Sequence, residues 1–109
     1  MKTMQPTVTV DAPTRLDGIT SGDFGAFLIR IIEGGGCRLI LDLGSLDYLS
    51  SAGVRALLLA HKAVVARQGK MVLLSCRPSV HEVLRICGVE ALAPRVESIE
   101  AARLVVRRP

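Results

Sequence analysis

Apolar and polar positions follow two periods along this chain, and the points where one gives way to the other divide it into strand and helix units. Thr7–Asp11 (TVTVD) alternates with β-branched residues and then meets Pro13, which predicts a short strand. Phe24, Phe27, Leu28, Ile31 and Ile32 recur at i, i+3, i+4, i+7 and i+8. A helix is therefore expected from Thr20 or Ser21, either of which can cap it, to about Glu33. Gly34-Gly35-Gly36 stops it. Cys37–Leu43 (CRLILDL) is a nearly continuous apolar run of strand length, as expected of a strand covered on both faces.

The second half repeats the alternation. Val54, Leu57, Leu58, His61, Val64 and Val65 form one stripe of a helix expected from near Ser51 to Arg67, with Gly69 ending it. Lys70–Ser75 (KMVLLS) is the next buried strand. Pro78 sits where a first helical turn tolerates proline, and Val80, Val83, Leu84 and Cys87 complete a short helix before Gly88. A last strand near Pro94–Glu97 leads into a helix from Ser98, with Ile99, Ala102, Leu104 and Val105 available to pack. Strands joined by helical crossovers of this length must be largely parallel and wound right-handed. The expected fold is a small single-domain α/β unit over 1–109, with a mostly parallel four-strand sheet and about four helices. There is no internal repeat or low-complexity stretch, and only Met1–Pro6 and Arg107-Arg108-Pro109 look like loose tails.

Composition narrows what such a domain can do. Half of the 109 residues are apolar and 22% are charged, enough for a real core and unlike a disordered chain. Aromatics make up only 3%, so the core must be aliphatic and little is left for stacking single-stranded nucleic acid. No apolar run approaches the roughly 18–20 residues of a membrane span, and MKTMQPT lacks an apolar signal core. The protein is expected to be soluble and cytoplasmic, away from membranes. Its net charge of +4 comes from residues 37–109, which carry eleven positive and six negative groups against three and four in 1–36. These cations are scattered singly apart from Arg107-Arg108, whereas a nucleic-acid surface clusters them, so a solvated basic surface is the favoured reading. Cys37, Cys76 and Cys87 show no CxxC spacing and are expected to be reduced and buried. His61 and His81 have no partners at ligand spacing, so neither a metal nor a cofactor is expected, and His61 reads as a packed core histidine.

The informative segment joins the second long strand to the second helix, where α/β sheets place their sites. It reads LDLGSLDYLSSAGVRALL, from Leu41 to Leu58. Ser50 and Ser51 stand at the mouth of the helix, followed by Ala52 and Gly53, which leave the surface uncluttered. An N-cap serine needs no further function. Asp42 and Asp47 flank the loop and could cap it or shape a partner surface. Tyr48 is expected to pack under the loop. Arg55 and Leu59 should face outward if Val54, Leu58 and His61 face in.

This stretch resembles the signature of the STAS domain, and specifically the stand-alone anti-sigma-factor antagonists of bacteria: an apolar strand ending in LDL, a short loop, a serine-rich turn and then G-[LV]-x-x-L-L on the following helix. Arg15–Ser21 (RLDGITS) is similar to the family's second landmark, and the resemblance runs from about Thr7 to Val106. It implies a protein-binding switch. The antagonist docks on an anti-sigma factor that is also a serine kinase and displaces the sigma factor. The kinase phosphorylates a serine at the start of the second helix, which breaks the complex, and a serine phosphatase reverses it. Counting two residues back from Gly53 puts the phospho-acceptor at Ser51, with Ser50 as the runner-up because it stands where the family often has Asp. The implied partner surface comprises Asp47, Ser50, Ser51, Ala52, Gly53, Arg55 and Leu59. Family members usually carry one more strand before TVTVD. Met1–Pro6 is too short to supply it, so the sheet edge is expected to be exposed, or covered by a partner or a second copy in a homodimer.

Three other classes compete. An enzyme would need a base beside Ser50 or Ser51, but His61 lies roughly 15 Å along the helix axis and the serines are not on a G-x-S-x-G elbow, so catalysis is not expected. Gly18, Gly22 and Gly25 lack phosphate-loop spacing, so no nucleotide site is read there. A STAS scaffold subunit without the phosphoswitch, as in lipid-transport ATPases, is the main alternative. A basic nucleic-acid binder, marked by steep salt dependence, ranks last.

Overall fold

The computed structural model describes residues 5–109. Its principal sheet contains β1 (Thr7–Asp11), β3 (Arg38–Asp42), β5 (Lys70–Leu74) and β6 (Arg95–Val96), in that spatial order, every pair parallel. The strands are joined through α1 (Ser21–Glu33), α2 (Ser51–Ala66) and α3 (Pro78–Ile86), and α4 (Ile99–Val106) follows the last strand. A 3-10 turn at Val89–Ala91 follows α3. β2 (Arg15–Leu16) and β4 (Tyr48–Leu49) form a separate two-residue parallel pair that the apolar pattern does not predict. The four-strand parallel sheet and four helices match the expected architecture. Because β1, β3, β5 and β6 succeed one another in one direction, right-handed crossovers put α1, α2 and α3 on one face. Side chains alternate across the sheet accordingly. Leu39, Leu41, Met71 and Leu73 enter the large core with α1–α3, while Ile40, Val72 and Leu74 meet Ala102 and Val106 of α4 behind.

Helix faces depart from the expected stripes in an instructive way. On α2 the buried positions are Gly53, Val54, Ala56, Leu57, Ala60 and Val64, so small residues rather than His61 and Val65 face inward. His61 is half-buried and Val65 exposed. The cause is close approach of α1: a Cβ added to Gly25 would stand 3.3 Å from that of Ala56. Phe27 and Leu104 point outward, and Thr20 makes no side-chain cap. Cys37 is buried, Cys76 half-buried and Cys87 exposed, so the expectation of three buried cysteines holds fully for one. Burial pushes the Cys76 thiol up to about 11, leaving it protonated near neutral pH.

The C-terminal segment is not a loose tail. Arg38 donates to the carbonyls of Val106 and Arg108 at 3.0 and 2.8 Å, and Arg107 Nη1 donates to Thr7 Oγ1 at 3.0 Å. At the opposite terminus, Gln5 Oε1 accepts from Arg38 Nε; Met1–Met4 lie outside the described residues. Among the described residues β1 has a strand on one side only.

The turn from α2 into β5 shows why its glycine sits where it does. Gln68 takes the left-handed conformation (φ 57°) that a glycine usually supplies, and the N–H groups of Gln68 and Gly69 donate back to Val65 O and Val64 O. Gly69 is needed for another reason: a Cβ there would lie 2.0 Å from Cys37 O. We predict that Gly69→Ala destabilises by about 3 kcal/mol or more, because backbone must move. Gln68→Gly should be neutral or stabilising by up to about 1 kcal/mol. Urea unfolding of the two variants checks the contrast.

Candidate functional site

The site grows from the pairing of β2 with β4. Leu16 and Leu49 are buried partners, and the flanking loops are stitched by Asp47 N–H to Thr14 O and Ser50 N–H to Leu16 O, both 2.9 Å. Ser50 also donates its hydroxyl to Leu16 O at 3.0 Å and accepts from Gly53 N–H at 3.3 Å, so it is the N-cap of α2. Gly53 is buried here for want of room: a Cβ would stand 2.8 Å from Leu16 O and 2.6 Å from Leu49 Cδ1. Ser51 is the first residue of α2, and it is exposed.

The segment before α1 is held by Asp17. Its Oδ1 accepts from the N–H groups of Ile19 and Thr20, each at 2.9 Å, and Ser21 Oγ donates to Asp17 O. Those two backbone donors, with smaller help from the Thr20 hydroxyl and Arg15, hold the Asp17 carboxyl down at about 2. Arg15 lies 4.4 Å over the Tyr48 ring, which is exposed rather than packed under the loop. Asp42 Oδ1 accepts from Gly44 N–H, a loop cap.

Between α1 and α2 these constraints leave a groove of about 660 Å³. Ser51, Ala52, Arg55 and Leu59 line its α2 side; Ser50 and Gly53 are absorbed into packing, and Asp47 lies outside on the exposed loop. Arg55 and Leu59 both face solvent, as the helix phase predicts. The other wall was missed. Gly18, Gly22, Gly25, Ala26 and Ile29 line it with the buried Ser21. Gly22, Gly25, Ala26 and Ile29 recur at i, i+3, i+4 and i+7 on α1, but nothing in that spacing says that α2 leaves a groove beside them. Among the described residues no group of three or more His, Cys, Asp or Glu is placed to hold a metal ion, and no helix is long and apolar enough to cross a membrane.

Known proteins resemble this chain in sequence and in fold. A family model described as the STAS domain matches residues 1–102. BtrV of Bordetella bronchiseptica, named as a candidate anti-sigma factor antagonist, is 45% identical over 77 residues, which are 71% of this chain and 66% of that protein. An anti-sigma-factor antagonist (STAS) domain protein from Planctomyces limnophilus superposes with a TM-score of 0.81 at 20% identity, covering 95% of this chain and 92% of its own. The Bacillus cell fate determinant SpoIIAA, solved in its phosphorylated form, gives a TM-score of 0.71 at 24% identity over 96% and 95% of the two chains.

Two measurements check these assignments. Ser50→Ala should cost about 1 kcal/mol as a lost cap, whereas Ser51→Ala should stay within about 0.5 kcal/mol of the parent in chemical denaturation. The Asp17 carboxyl resonance should titrate near 2. Because that value is depressed on folding, the stability Asp17 contributes is complete above the unfolded value near 3.8 and is lost as pH falls through about 2. Asp17→Asn should flatten the stability profile across that window.

Proposed function

Because this chain belongs to the STAS domain family, we propose that it works as an anti-sigma factor antagonist whose docking on an anti-sigma factor is switched by phosphorylation of Ser51. The partner in this reading is an anti-sigma factor with serine-kinase activity. A serine phosphatase restores the unmodified form, and the cycle runs in the cytoplasm. The α1–α2 groove and its α2 rim, with Ser51, Ala52, Arg55 and Leu59, form the docking surface. The curated relative BtrV bears the corresponding name.

The observation that carries the reading is the division between the two serines. The Ser50 hydroxyl has a donor and an acceptor partner inside the fold, while Ser51 is exposed at the groove. Only the latter can be presented to a kinase without undoing the cap. In the transfer, Ser51 Oγ bonds to the γ-phosphorus of ATP, the bond to the β–γ bridging oxygen breaks and ADP leaves. The hydroxyl proton passes to a base on the kinase. The product sits at a helix N-terminus, where free N–H groups and the dipole favour an anion, and the first turn of α2 has no acid to repel it. The fold is therefore kept, while about −1.5 to −2 charges are added to a surface of small groups.

Intact mass and phosphopeptide mapping of the chain recovered from its host, with pull-down of bound proteins, tests this. The expected result is one phosphate, on Ser51, with an anti-sigma factor retained by the unmodified chain and released from the modified one. Ser51→Ala should bind constitutively and Ser51→Glu should bind at least tenfold more weakly. If neither Ser51 nor Ser50 is ever modified, even with the host's candidate kinase and ATP, and Ser51→Ala keeps full function, the proposal is overturned in favour of a STAS scaffold subunit.

A further inference from the structure

Arg55 is the charged residue among those lining the α1–α2 groove, and it stands one helical turn beyond Ser51. Several other arginines are engaged within the fold. Arg15 pairs with Asp17 and covers Tyr48, Arg77 donates to Gly44 O, and Arg95 pairs with Glu90. Arg55 is exposed and takes part in no ion pair or hydrogen bond among the described residues. It is thus a long cation one helical turn from a hydroxyl, at the rim of a groove otherwise built of small and apolar groups, with no ion-pair or hydrogen-bond partner among the described residues.

We propose that Arg55 is a positioning residue for the phosphorylated state: its guanidinium takes two oxygens of phospho-Ser51 from within the same helix and holds the phosphate across the mouth of the groove. This rests on the reading of Ser51 as phospho-acceptor. Helix geometry supplies the reach. Positions i and i+4 are neighbours on the surface, and every Cα–Cβ bond tilts toward the helix N-terminus, so Arg55 leans over the turn that begins at Ser51. The order is also the favourable one, with the anion N-terminal and the cation four residues on. The planar fork of arginine matches two phosphate oxygens, which an ammonium cannot do. The acids on adjoining elements are Asp17, whose carboxylate is engaged by Ile19 and Thr20, and Asp23 and Asp47, both exposed. Each repels a phosphate, and Arg55 offsets that repulsion.

Phosphorylation then changes the docking surface twice. It adds an anion, and it draws the groove's cation out of reach of a partner's carboxylate into a pair within the chain. An anti-sigma factor that had paired with Arg55 would lose that contact as well as meeting the phosphate.

The test uses full-length chain carrying phosphoserine at 51 by genetically encoded incorporation, so that no kinase is needed, followed by 31P NMR through pH 4–8. With Arg55 in place the second phosphate ionisation should fall below its ordinary value of about 6. In Arg55→Ala and Arg55→Gln it should rise by about 0.5 unit, a roughly threefold gain in proton affinity, and Arg55→Lys should recover part of the difference. About 1 M salt should bring all forms together. Arg55 Nε–H should shift on phosphorylation in 1H–15N spectra. Equal titration of parent, Ala and Gln forms at low salt overturns the proposal. Because Arg55 is exposed and unpaired, the unmodified variants should melt with the parent, and agreement between Ala and Gln excludes a fold defect as the cause. A phosphate mapped to Ser51 together with equal titrations removes the role of Arg55 alone. Absence of phosphate on Ser51 in the host removes the switch and leaves the titration to decide the geometry.

Discussion

The carbonyl oxygen of Leu16 is the point on which the site depends. It accepts from both the amide and the hydroxyl of Ser50, at 2.9 and 3.0 Å, and leaves Gly53 no room for a side chain. Leu16 is fully buried, so a carbonyl left without these donors would cost the desolvation of a polar group, about 1–3 kcal/mol. That cost holds the N-cap of α2 against the segment that leads into α1. With both helices starting from one anchor, their first turns must lie side by side, and the groove follows. Ser51, the next residue, turns away from the anchor to become the exposed hydroxyl at the groove.

The hydrophobic pattern made most of the architecture legible. The runs around Leu39–Leu41 and Met71–Leu74 mark strands covered on both faces, and the helix limits read from Ser21, Glu33, Ser51 and Pro78 agree with the structure. What escaped was held by groups the pattern does not record. β2 and β4 are two residues each, too short to show a period, and exist through backbone pairing. The Arg107–Pro109 segment looked loose because it is anchored largely through the backbone carbonyls of Val106 and Arg108, acceptors any sequence would provide, and through a long-range contact of Arg107 with Thr7. On α2, reading large apolar residues as the inward face misplaced Val65, since helices that touch at Gly25 and Ala56 bury their small residues instead. The site was half legible for the same reason. The serine pair stood out, while the glycine wall of α1 was invisible until the two helices were set together.

The two sides of the sheet divide the labour. α4 covers Ile40, Val72 and Leu74 with a core of its own, and Arg38 closes the end of the sheet away from the site by gathering the carbonyls of the C-terminal segment. Nothing in that half reaches the groove. A change confined to the groove therefore has no packed element to displace. Gly53 and Ser50 join the groove to the core through rigid contacts that do not involve the Ser51 side chain. A signal written on Ser51 is consequently read by whatever docks there rather than by rearrangement of the sheet.

The size of that signal follows from the groove's composition. In the free chain a phosphate at the start of α2 is solvated on its outer side and favoured by the helix terminus by about 0.3–1 kcal/mol. A partner that seals the groove must strip its water, and the side chains of Ala26, Ile29 and Leu59 in its walls have no hydrogen bonds to return. Burying an ion without full compensation costs several kcal/mol, and each 1.4 kcal/mol is a tenfold loss of affinity. The same group is thus favourable when the surface is open and costly when it is covered. An apolar groove with a hydroxyl at a helix start needs no conformational change to turn that asymmetry into a switch. Arg55 at the rim is the one charged side chain among the described residues that line the groove, and more such groups would have weakened the asymmetry by offering the phosphate further partners in the bound state.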